Sequence, residues 1–111
     1  MLSIYLSMVE TEEEKDLVTE LYNTYKQILF NVSMSILHNT ADAEDAVQET
    51  FVRIISNLSK IDCANEKRSK AYIFVVTRNI CYDILRKKHK VVFLDDDREL
   101  VDTNAVENTE I

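Results

Sequence analysis

The chain has no glycine, no proline and no tryptophan among its 111 residues. Hairpins and tight turns draw on glycine for positive φ and on proline for a preset φ. A fold built from hairpins, such as a sandwich or a barrel, is therefore disfavoured. An all-α domain whose connections use Asn, Asp and Ser is the natural alternative. Cysteine and histidine are scarce too, being limited to Cys63, Cys81, His38 and His89. They form neither a CxxC motif nor a Cys/His ligand set, so no metal site and no cofactor are expected. Two unlike cysteines suit a reduced, cytoplasmic setting, with Cys81 as a small core residue and Cys63 as an exposed loop thiol. Long apolar runs are also missing. The apolar residues near the N-terminus are broken by Ser and Glu, so neither a signal peptide nor a membrane span is expected.

What is present is 46% apolar residues and a strongly segregated charge. The apolar content is enough for one domain with a single modest core. The formal net charge of −7 argues at first against nucleic acid. Its distribution argues otherwise. Residues 1–60 carry 4 Lys and Arg against 10 Asp and Glu, residues 61–90 carry 8 against 3, and residues 91–111 carry 1 against 7. A basic middle between acidic ends points to partners of opposite charge, or to a basic partner together with a nucleic acid.

Three helices are predicted, at about 12–38, 41–59 and 69–90. Residues 1–10 read as a short apolar lead without helical commitment, a frayed extension. Thr11 and Glu14 then form a capping box over an acidic first turn. Leu17, Leu21, Tyr25, Ile28, Val32 and Ile36 follow at steps of three and four, widened by Val18, Tyr22 and Leu29. Asn39 and Thr40 break the pattern and can cap the second helix. There Ala43, Val47, Phe51, Ile54 and Leu58 make the inner face, and Asp45, Gln48, Glu49, Val52 and Ser56 the outer one. Each large apolar side chain buried this way contributes on the order of 1.5–3 kcal/mol. Residues 59–70 are polar and lack a period, so they read as a loop, with Ser69 as the N-cap of the third helix. Residues 1–94 thus make a compact three-helix bundle, and residues 95–111 an acidic, disordered linker or tail.

The third helix, AYIFVVTRNICYDILRKKHK over residues 71–90, carries two opposed faces. Ile73, Val76, Ile80 and Ile84, flanked by Cys81 and Leu85, need a core. Tyr72, Val75, Asn79, Tyr82 and Arg86 fall on the other side, with Arg78 and Asp83 nearby. Such a face suits single-stranded nucleic acid, since bases stack on aromatic rings and phosphates attract guanidinium groups. It equally suits a solvated helix face with two tyrosines half-buried at a domain edge. Lys60, Lys67, Arg68 and Lys70 in the preceding loop read either as a soluble connection or as contacts to phosphates around an unstacked base. On the second helix, Val52 amid Asp45, Gln48 and Glu49 reads either as a tolerated exposed valine or as part of a docking face with an acidic rim. No nucleophile–base pair and no enclosed carboxylate pair is evident, so neither enzymatic activity nor a small-molecule substrate is expected.

The runs DAEDAVQETF over residues 42–51, AYIFVVTRN over 71–79 and DILRKK over 83–88 together resemble region 2 of the extracytoplasmic-function (ECF) sigma factors. The resemblance covers about residues 17–90. It implies a domain that binds core RNA polymerase, through the clamp helices of the largest subunit, and that recognises and melts the promoter −10 element by capturing its non-template strand. Carried over by position, it makes Asp45, Gln48 and Glu49 polymerase-binding, in keeping with the face that also shows Val52. It turns Arg78, Asn79 and Arg86 toward the −10 strand and puts the loop around Asp62 to Arg68 where the family holds a flipped base. With the residues read above, the DNA-binding set is Lys67, Arg68, Lys70, Tyr72, Val75, Arg78, Asn79, Tyr82, Arg86 and Lys87. The family also implies an inhibitory anti-sigma protein as a partner.

This sequence departs from the family pattern in three ways. Tyr72 stands where the family most often has Trp, and Ile61 where many members have Phe. The second helical domain, region 4, which reads the −35 element, has no counterpart after the acidic linker. The chain is thus expected to be either part of a two-domain protein or a form without the −35 function. The competing reading is a helical protein-interaction module, or a sigma-like decoy, that binds no DNA.

Overall fold

The computed structural model describes residues 1–62 and 64–95, with side chains described as far as His89. Its helices are α1 (Leu2–Leu6), α2 (Glu12–Leu37), α3 (Thr40–Ser56) and α4 (Glu66–Asp95), with a single 3-10 turn at Leu58–Lys60 before α4. The all-α bundle of three main helices expected from the sequence is what the chain forms, and no strand occurs among the described residues.

The capping box at the start of α2 is present: the Glu14 N–H donates to Thr11 Oγ1 at 3.1 Å, and the Glu14 carboxylate accepts from the Thr11 N–H at 3.5 Å. α2 ends at His38, which takes the left-handed conformation at φ 53°, ψ 30° and donates its N–H to the Met34 carbonyl. That position usually falls to glycine, and this chain has none. Asn39 then caps α3, its side-chain oxygen accepting from the Asp42 N–H at 2.9 Å. Two residues therefore suffice to turn α2 into α3, and the two helices pack on each other, with α4 packed against both.

The core holds Val18, Leu21, Tyr25 and Leu29 of α2, Phe51, Ile54 and Ile55 of α3, and Ile73 of α4. A second cluster joins Leu37, Ala46, Val76, Ile80 and Cys81. The α2 stripe is centred differently from the expectation. Leu29 and Leu37 are buried, while Ile28 is 42% exposed. Apolar residues flank both sides of that stripe, so the sequence alone does not fix its centre. On α3, Val47 only packs on the margin, as does Leu58 in the 3-10 turn that follows, and Ala46, Thr50 and Ile55 fill the interior. Thr50 and Thr77 are buried because each hydroxyl donates to the carbonyl four residues back, at 2.7 and 2.9 Å. Ser33 Oγ is buried without a hydrogen-bond partner among the described residues. It lies near Cys81, whose thiol is pushed up by burial, the serine contact offsetting this only in part.

Two boundaries are corrected. The N-terminal lead is no frayed extension: α1 packs on α2 and α3 and buries Tyr5 to 2% exposure between Tyr22 and Phe51. A five-residue helix has no propensity signal of its own and forms because it covers the core. α4 begins at Glu66 and runs on through the apolar residues 91–94. Asn65, not Ser69, supplies its capping oxygen, accepting from the Arg68 N–H at 3.1 Å. Cys63 and residues 96–111, with the expectation of an exposed thiol and a disordered tail, lie outside the described residues.

Candidate functional site

α4 sets out one stripe by its period. Arg68, Tyr72, Val75, Asn79, Tyr82 and Arg86 follow at steps of four and three and line a single face. Ile73, Thr77 and Ile80 are buried on the opposite side. Val75 is 46% exposed, Asn79 and both arginines are exposed, and Tyr72 and Tyr82 are half-buried. Arg78 and Lys67, both exposed, run beside this stripe three turns apart. Lys70 does not join them. It lies toward α2, its ammonium 5.9 Å from the centre of the Phe74 ring, which meets Tyr25 edge-on. Lys87 is exposed but turned about 100° from Arg86. Arg86 pairs with Asp83 on its own helix. Lys88 reaches Asp42 at the start of α3, at 2.5 Å.

At the N-terminal end of the stripe lies a cleft of about 650 Å³, lined by Ser59, Lys60, Ile61, Asp62, Arg68 and Tyr72. Ile61 and Asp62, in the segment that follows the 3-10 turn, line one side of it. Asp62 is held there by Ser69: the Asp62 N–H donates to Ser69 Oγ at 2.7 Å, and that hydroxyl donates to the Asp62 carbonyl at 3.0 Å. The Asp62 carboxylate accepts from the Ala64 N–H at 2.9 Å. A smaller hollow of about 170 Å³ on the other side of the same segment shares Ile61 and Asp62 and is edged by Glu20 and Glu66. Tyr25 lines it, and burial, aided by the Glu66 carboxylate, pushes its hydroxyl up.

The outer face of α3 brings its four candidate residues together. Asp45, Gln48, Glu49 and Val52 border one groove of about 440 Å³ with Ile84 of α4. Val52 is 43% exposed, and Glu49 pairs with Arg53 at 3.3 Å. Sequence reasoning placed Ile84 on the core side. It is half-buried, at the C-terminal end of the apolar stripe, where α4 passes the first turn of α3. Gln48 also edges a second groove of about 270 Å³ that Met1 and the α1 residue Tyr5 border with Tyr22, Phe30 and Val47. Sequence reasoning missed that groove with α1 itself; the one signal was the apolar character of residues 1–10.

Residues 21–91 match the sigma-70 region 2 family. The chain belongs to that family. The matched span holds both faces and leaves α1 outside it. The ECF assignment is supported by curated relatives from Bacillus subtilis (strain 168). The chain is 31% identical over 80 residues to the ECF RNA polymerase sigma factor SigM, covering 72% of this chain and 47% of that protein. It is 26% identical over 82 residues to the ECF RNA polymerase sigma factor SigW, covering 74% and 43%. RNA polymerase sigma factor SigV is 26% identical over 90 residues, covering 81% and 53%. The chain thus spans about half the length of the curated relatives it matches. No solved structure matches it. Among the described residues of this region 2 domain, no helix is long and apolar enough to cross a membrane, and no group of three or more His, Cys, Asp or Glu is arranged to hold a metal ion.

Proposed function

We propose that this chain is the promoter-opening domain of an ECF sigma factor. It docks on core RNA polymerase through the α3 groove and captures the melted non-template strand of the −10 element on α4. Asp45, Gln48 and Glu49 present polar and acidic groups to a basic partner, and Val52 and Ile84 supply the apolar centre. Tyr72 and Tyr82 stack on bases, Val75 and Asn79 contact base edges, and Lys67, Arg68, Arg78 and Arg86 neutralise phosphates. Lys87, on the flank of α4, contacts the strand as it leaves the stripe, and Lys70, turned toward α2, is left out of the DNA-binding set. The partners fix a cytoplasmic site of action. An anti-sigma protein inhibits by covering either face.

The mechanism is differential binding. Unstacking a base costs a few kcal/mol. A protein that binds only the unstacked strand offsets this, each base stacked on a tyrosine returning roughly 1–3 kcal/mol. The observation that carries the reading is the cleft at the end of the aromatic and basic stripe. The cleft has a volume of about 650 Å³, and Tyr72 and Arg68 belong to both cleft and stripe. The chemistry is binding alone and requires no catalytic group.

The test is the salt dependence of single-stranded DNA binding by this chain in complex with core polymerase. Affinity is expected to fall with salt by a slope of about 0.7 for each phosphate neutralised. Arg78→Glu with Arg86→Glu should reduce both affinity and slope. Unchanged affinity in that variant contradicts the DNA half of the proposal and leaves a polymerase-binding module or decoy.

A further inference from the structure

Ser69 is a polar residue with no place in the reading of α4 as a two-faced helix. It is 6% exposed, in the first turn of α4, yet it does not cap that helix. Its hydroxyl is used in both directions on a single residue seven positions earlier, accepting from the Asp62 N–H and donating to the Asp62 carbonyl. A hydroxyl has one proton and two lone pairs, so this pair of bonds uses its donor and one acceptor at once. Both bonds are part-buried, where an unmet polar group is costly.

We infer that Ser69 is a positioning residue for the base-capture cleft: it locks the backbone of Asp62 so that the cleft exists before a base enters. The inference rests on the proposed capture of an unstacked base. Ile61 and Asp62 form one wall of the cleft, and Arg68 and Tyr72 of α4 form the opposite wall. Between the 3-10 turn and Asn65, the described backbone-to-backbone bonds of this segment are short-range turns, Ile61 to Leu58 and Asn65 to Asp62. Ser69 ties Asp62 to the helix itself, so it sets the separation of the walls. A wall free to move must be ordered when the base binds, and that ordering subtracts from affinity. Ser69 touches no base, and its effect passes through Asp62.

Two measurements test this, the first on Ser69→Ala and Ser69→Thr, the second on those two and on Asp62→Pro. The last removes the same N–H donor while leaving Ser69 intact, and Ile61 already has the extended backbone a following proline requires, at φ −92°, ψ 122°. The first is amide hydrogen exchange at Asp62 in the free chain, with core amides such as Ile80 as the control for folding. Ser69→Ala is expected to exchange at least tenfold faster at Asp62 and unchanged at Ile80, and Ser69→Thr to stay protected. The second is selection from a pool of randomised single-stranded DNA by the chain in complex with core polymerase. Ser69→Ala and Asp62→Pro are expected to lose base preference at one position and keep it elsewhere, with Ser69→Thr retaining it. A general loss of stability would instead weaken every position together. Unchanged Asp62 exchange in Ser69→Ala, or preference retained at every position, overturns the inference alone. A wild-type complex that selects no sequence overturns the proposed function, and the inference with it.

Discussion

Tyr5 and Phe51 meet with ring centres 5.4 Å apart and planes tilted by 38°. Tyr22 closes the triangle, 5.9 Å from Tyr5 and 5.5 Å from Phe51. Aromatic pairs at these separations add to the area they bury. The N-terminal helix is therefore part of the core. Tyr5→Ala is predicted to destabilise the fold by about 3 kcal/mol, as for other buried aromatics. Urea unfolding checks this. A loss below about 0.5 kcal/mol, the usual effect at an exposed site, contradicts the role given to α1.

His38 carries the cost of a chain without glycine. Its left-handed backbone, at φ 53°, is the one positive φ among the described residues. That conformation costs a residue with a Cβ about 1–2 kcal/mol. Glycine removes the cost but adds about 0.4–1 kcal/mol of unfolded-state entropy. His38→Gly is predicted to stabilise the fold by about 0.5–1 kcal/mol in urea unfolding. A loss of stability there places the role of His38 in its side chain.

Much of this was legible from sequence. The capping box at Thr11 and Glu14, the break at Asn39 and the buried face of α4 around Ile73, Val76 and Ile80 follow from spacing and residue type. What escaped has physical causes. α1 is too short to show a period and is held by contacts made far along the chain, at Phe51. Thr50 and Thr77 look polar in an apolar pattern, yet their hydroxyls are satisfied within their own helices. Ser69 resembles an N-cap because serine is favoured there, and its actual partner, Asp62, follows from the path of the loop. Ile84 belongs to the apolar stripe by spacing, and only the packing of α3 leaves it open to a groove. The site residues proposed from the motifs cluster on two faces, except Lys87, whose helical phase carries it to the flank, and Lys70, whose phase carries it to the opposite side, toward α2.

Three buried groups make stability fall at alkaline pH. Burial pushes up the Cys81 thiol, the Tyr5 hydroxyl, which Tyr22 raises further, and the Tyr25 hydroxyl, which Glu66 raises further. Each folded-state value lies above the ordinary one, 9.0 for the thiol and 10.0 for the tyrosines. The stabilisation is then complete below the ordinary value and is lost as pH rises through the folded-state value. Urea midpoints are predicted to fall from about pH 9 upward. Cys81→Ala should shift the onset toward the tyrosine range. A midpoint independent of pH up to about 11 contradicts the burial of these groups.

The α3 groove is proposed to dock on core RNA polymerase. The most direct test is co-purification of this chain with bacterial core polymerase beside a Gln48→Ala/Glu49→Lys variant of equal helicity and thermal stability. The wild-type chain is predicted to bind, and the variant to bind at least tenfold more weakly, a loss of about 1.4 kcal/mol or more. Equal binding by both moves the docking site off α3, and no binding by the wild-type chain contradicts the account.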